Sequence, residues 1–72
     1  MSPPQIVGRI KRFGKKRMLV TNSQGGYAEL EYADDLVRLF ARLAFEAGHV
    51  VAVTYFDGVA THVGRAPGGM GP

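Results

Sequence analysis

Six of the chain's nine cationic side chains, Arg9, Lys11, Arg12, Lys15, Lys16 and Arg17, lie in one short stretch ahead of the first acidic residue. Guanidinium and ammonium groups at that density suit contact with a phosphate backbone, at an affinity that falls as salt rises. Tyr27 and Tyr32, just downstream, supply flat rings on which bases can stack. The same cations equally suit the solvated outside of a small β domain, where charge keeps edge strands from pairing. Glu29 and Glu31 sharpen that alternative. On a neighbouring strand they would meet Arg12 or Arg17 in cross-strand ion pairs, each worth only about 0–1 kcal/mol when exposed.

Other chemistries find less support. His49 and His62 are two imidazoles with no cysteine and no third carboxylate to complete a tetrahedral set, so no metal is expected. Ser2 and Ser23 have no base at a recognisable spacing. Gly25-Gly26 lacks the G-x-x-x-x-G-K-[ST] pattern of a phosphate loop. Adjacent Asp34 and Asp35 point in different directions at a helix start, where a carboxylate serves as a cap. A chain of 72 residues also leaves little room for a pocket that excludes water. The expectation is a binding domain without cofactor, not an enzyme.

The totals point the same way. The formal charge is +3, the hydrophobic fraction is 46% and there is no cysteine, which fits a folded single domain held by packing or self-association. No apolar run reaches the roughly 18 residues of a spanning helix, and MSPPQ does not read as a secretory signal. A cytoplasmic domain with no membrane attachment is therefore expected.

The pattern gives a head over 1–4, a domain over 5–65 and a tail over 66–72. Gln5 to Phe13 reads as a first strand, with Gly8 marking a bulge or sharp coiling. Arg17 to Thr21 reads as a second. Asn22 to Gly26 is a turn, and Tyr27 to Tyr32 alternates as a third strand. Asp34 to Ala47 is a helix closed by Gly48. Leu36, Leu39, Phe40, Leu43 and Ala47 form its expected core stripe, and Asp34, Arg38, Arg42 and Glu46 a solvent ladder. Val37 and Phe45 widen the apolar surface beyond that stripe, as a protein contact would. His49 to Phe56, the Asp57-Gly58 hairpin and Val59 to Gly64 finish the chain. The order β-β-β-α-β-β is that of a five-stranded OB-like barrel. An SH3-like barrel is the alternative, but it carries only a short turn where this chain has a long helix.

From Gly8 to about Ala66 the chain also resembles the cold-shock domain family. Gly8-Arg9-Ile10-Lys11-Arg12-Phe13 stands where the family has G-x-V-K-W-F. Lys15 to Thr21 stands at the K-G-F-G-F-I-T motif, and Tyr27 to Tyr32 at D-V-F-V-H-Y. The later E-G-x-x-V-x-F segment falls on Glu46 to Val53. The resemblance implies an OB barrel that binds single-stranded nucleic acid on aromatics of strands one to three. Arg12, Arg17, Leu19, Glu29 and Glu31 replace most of those aromatics, and Tyr32 keeps one.

Two functions follow as expectations. The first is binding of single-stranded DNA or RNA, with weak sequence preference, through Arg9, Lys11, Arg12, Lys15, Lys16, Arg17, Tyr27 and Tyr32. The second is a protein-interaction module or homodimer that keeps the barrel and uses Val37, Phe45, Glu29 and Glu31.

Overall fold

The computed structural model describes residues 4–65. The five strands are β1 (Gln5–Phe13), β2 (Arg17–Asn22), β3 (Tyr27–Tyr32), β4 (Val50–Phe56) and β5 (Val59–Arg65), with helix α1 (Asp35–Ala47) between β3 and β4. They close into a barrel in the order β1-β2-β3-β5-β4, with β4 returning to β1. All seams are antiparallel except β3–β5, which is parallel and has two register pairs where the others have five or six. The expected order and the mostly β class are what is observed. Pro4, read as part of the head, already joins the sheet, because its carbonyl accepts from the Tyr55 amide at 3.1 Å. The rest of the head and the tail over 66–72 lie outside the described residues.

β1 has to serve both of its neighbours. Its first half pairs with β4 and its second half with β2, and Gly8 and Arg9 pair with both. A side chain at Gly8 is excluded, since a Cβ there would lie 1.8 Å from the Thr21 carbonyl oxygen. The bulge lies further on, between Ile10 and Arg12. Its cause is spacing: Ile10 and Phe13 are three residues apart, so strict alternation would send them to opposite faces. One extra residue, Lys11, lets both pack inward.

The interior is filled by Ile10, Met18, Val20, Leu30, Val51 and Val53, with Val20 and Val53 fully buried. Helix α1 packs mainly on β1 and β5 and touches β3. Asp34 caps it by accepting from the Val37 amide at 2.9 Å. Gly48, at φ 71°, ends it by donating to the Ala44 and Phe45 carbonyls in a left-handed turn that a β-carbon would strain.

The helix is turned the other way from the sequence expectation. Val37 and Ala41 are its buried residues, with Ala44 packed beside them. Leu36, Leu39, Phe40 and Leu43, expected in the core, are 47–58% exposed, and Ala47 is exposed as well. The helix meets the core through the small residues Val37, Ala41 and Ala44, and its backbone lies close to β1 and β5. Ala41, with no exposed surface, permits that approach, whereas leucine or phenylalanine there would hold the helix off. Val37 is thus a core residue, whereas Phe45 stays 39% exposed at the edge of the helix. Phe45 stacks on Phe13 with ring centroids 6.0 Å apart.

Candidate nucleic-acid interface

Alternation along β1, β2 and β3 brings most of the sequence-predicted residues onto one outer face. Lys11 and Arg12 are both exposed, because the bulge sets two β1 residues against Leu19 of β2. Arg9 pairs with Thr21, and Thr21 with Tyr27 of β3, so Arg9 and Tyr27 share a row across the sheet. Tyr27 is 74% exposed.

At the other end of β2, Gly14 donates to the Arg17 carbonyl at 2.8 Å, which closes a tight turn with exposed Lys15 and Lys16 at its tip. Tyr32 supports that turn from inside. Its hydroxyl donates to the Gly14 carbonyl at 2.8 Å and its ring lies 5.5 Å from Phe13. Burial raises the phenol pKa above its usual value, against smaller lowering effects from that hydrogen bond and from Arg38. Tyr32, expected as a stacking surface, instead packs inward and positions the lysine turn.

Arg17 stands apart from the other cations. Its guanidinium reaches Glu29 at 3.7 Å and Glu31 at 3.8 Å, on the adjacent strand. All three side chains are more than half exposed, so the pairs add little stability, but they occupy both carboxylates. Among the described residues, Arg9, Lys11, Arg12, Lys15 and Lys16 have no carboxylate within 4.0 Å. An open groove of about 540 Å³ beside the lysine turn carries Lys15, Lys16 and Arg38 together with Glu31, Asp34 and Asp35, so its charge is mixed. The uncompensated charge lies on the β1 side.

Phe56 is a surface residue that the sequence reading placed only in an apolar strand. It is 73% exposed beside the β4–β5 hairpin. It pairs with Val59, which pairs with Glu31, which pairs with Arg17. Directly paired residues point to the same side of a sheet, so Phe56 ends an outer row that begins at the lysine turn. Three strand spacings make that row about 14 Å long. The signal was present in the sequence, because adjacent aromatics at Tyr55 and Phe56 on one strand must face opposite ways.

The outer face therefore offers cations along β1 and its turn, with an exposed aromatic at each of two corners. That arrangement can hold a flexible polyanion and stack unpaired bases. Among the described residues no polar or charged side chain is buried and no group of three metal-ligating side chains occurs. No helix is long and apolar enough to cross a membrane. Comparison of the chain with protein-family models, with curated proteins and with solved structures gives no match.

Proposed function

We propose that this barrel is a non-catalytic domain that binds single-stranded DNA or RNA across its outer face. The backbone runs over Lys11, Arg12, Lys15 and Lys16, with Arg9 at the far end. Bases stack on Phe56 and Tyr27. The observation that carries this reading is the sorting of charge: Arg17 takes up both carboxylates of the face, and five cations are left without partners. The resemblance to cold-shock domains supports the same surface, although the stacking groups differ. Contacts to phosphates and ring faces carry little sequence information, so weak base preference follows.

The test is fluorescence anisotropy with a labelled oligothymidylate at about 50 and 200 mM salt. Binding at low salt that weakens steeply at high salt is expected. Replacing Lys15 and Lys16 by alanine lowers the slope of log K against log salt by about 1.4, at roughly 0.7 per phosphate contact on a single strand. Phe56→Ala costs about 1–3 kcal/mol of binding if a base stacks there. An unchanged anisotropy at low salt would overturn the proposal.

A further inference from the structure

A second row of paired residues crosses the outer face at its other end. Val50 of β4 pairs with Arg9, Arg9 with Thr21 and Thr21 with Tyr27, so these side chains share one side of the sheet. At the corner where β1 passes from β4 to β2, the row borders a groove of about 370 Å³ whose lining includes Val7, Arg9, Thr21, Asn22, Ser23 and Val50. We infer that this groove is a nucleotide subsite of the proposed single-strand site. One nucleotide sets its phosphate on Arg9 and lays its base against Val7 and Val50, while a neighbouring base stacks on Tyr27. The inference rests on the nucleic-acid reading and carries that surface past Arg9 onto β4.

The chemistry of the lining selects that occupant. Val7 and Val50 are 43% and 41% exposed and lie diagonally across the β1–β4 ladder, since Val7 pairs with Ala52 and Val50 with Arg9. They offer apolar surface to a flat ring. Asn22 spends its Oδ1 on the Gln24 and Gly26 amides, at 2.9 and 2.8 Å, which leaves its Nδ2 free to donate. Among the described residues, Arg9 has no carboxylate within 4.0 Å, and the Thr21 and Ser23 hydroxyls have no hydrogen-bond partner. The groove is therefore rich in unused donors. The groove by the lysine turn holds Glu31, Asp34 and Asp35, and the cleft beside Phe13 holds Asp35, whereas no carboxylate lines this one. An anionic oxygen joined to a flat, partly apolar ring suits that combination, and a nucleotide carries both. Two strand spacings, about 10 Å, separate Arg9 from Tyr27, so one strand can reach both.

The test combines anisotropy with a labelled oligothymidylate at about 50 mM salt and amide NMR of the full chain during the same titration. Binding is expected to shift the Asn22 side-chain amide and the backbone amides of Val7 and Val50. Asn22→Asp keeps the acceptor that holds the turn but puts a negative charge in place of the donor. It should weaken binding at least about tenfold. Gln24→Glu makes the same change of charge in the same turn but outside the groove, and should cost less than about threefold. Arg9→Gln should lower the slope of log K against log salt by about 0.7. Equal losses for Asn22→Asp and Gln24→Glu overturn the inference, and so does wild-type binding that leaves the Asn22 side-chain amide unmoved. In both cases the oligonucleotide still binds, so the subsite falls and the nucleic-acid reading stands. A wild-type chain that binds no oligonucleotide overturns both.

Discussion

The outer face of β1–β3 and the outer face of α1 are both turned to solvent, yet they are built from opposite materials. The sheet face carries cations, two carboxylates and isolated aromatics, whereas the helix face carries a continuous strip of leucine and phenylalanine. The difference follows from how tightly each element must fit the core. A strand inserts alternate side chains, so its outward residues are free to be charged. Here the helix fits only through valine and alanine, and its bulkier residues are left outside. Size, more than hydrophobicity, decided which helix stripe was buried.

The largest expected effect enlarges the buried stripe. Ala41→Phe should destabilise the fold by about 3 kcal/mol and lower the melting temperature by about 4–8 °C per kcal/mol for a domain of this size. Phe40→Ser, one residue away on the outer stripe, should change the melt of dilute protein by no more than about 0.5 kcal/mol. Similar losses for both would show that the two stripes are not distinct.

A second experiment concerns the sheet face. Charge reversal of Lys11 and Arg12 to glutamate should reduce oligonucleotide affinity by about tenfold or more and leave the melt nearly unchanged, as anisotropy and circular dichroism would show. The bulge holds both side chains away from the core, so the loss would be electrostatic.

Tyr32→Phe should cost about 1 kcal/mol at neutral pH, the value of a hydrogen bond to the lysine turn. It should also alter the alkaline limb of stability. The native phenol pKa is raised, so the native state holds this proton more tightly than the unfolded chain does. The contribution of Tyr32 is therefore complete below the unfolded pKa near 10 and is lost as pH rises through the higher native value. Urea titrations at neutral pH and above about pH 10 should show a smaller alkaline loss in the variant.

The mildest change is Glu29→Gln with Glu31→Gln. Removing two exposed pairs should alter stability by less than about 1 kcal/mol. Releasing Arg17 should strengthen oligonucleotide binding a few-fold and steepen its salt slope by about 0.7.

Much of the fold was legible because its signals are local. Asp34 and Gly48 marked the helix ends by their capping chemistry, and Asp57-Gly58 marked the hairpin, with Asp57 at φ 54°. The alternation of Ala28, Leu30 and Tyr32 fixed the inner side of β3. What was not legible depends on distance between elements. The choice between the two helix stripes required the clearance at the barrel end, which no spacing in the sequence encodes. The bulge at Lys11 was written in the three-residue interval from Ile10 to Phe13, but Gly8 was the more conspicuous mark. For the candidate site, the cations were evident, whereas Phe56 joined them only through the closure of β4 and β5 onto β3.

That closure is thin. The parallel seam between β3 and β5 is the shortest in the ring, bridged beyond its ladder by the Glu31 amide on the Gly58 carbonyl and the Ala33 amide on the Ala60 carbonyl, each at 3.0 Å. A ring opens first at its weakest joint, so sub-global opening of this barrel begins there and amide hydrogens at Glu31 and Ala33 exchange ahead of those in the β1–β2 and β4–β5 ladders. The joint lies beneath the row that runs from Arg17 to Phe56. Under the proposed function, an oligonucleotide spanning that row should hold the barrel shut, and binding should register as slowed exchange at these two amides.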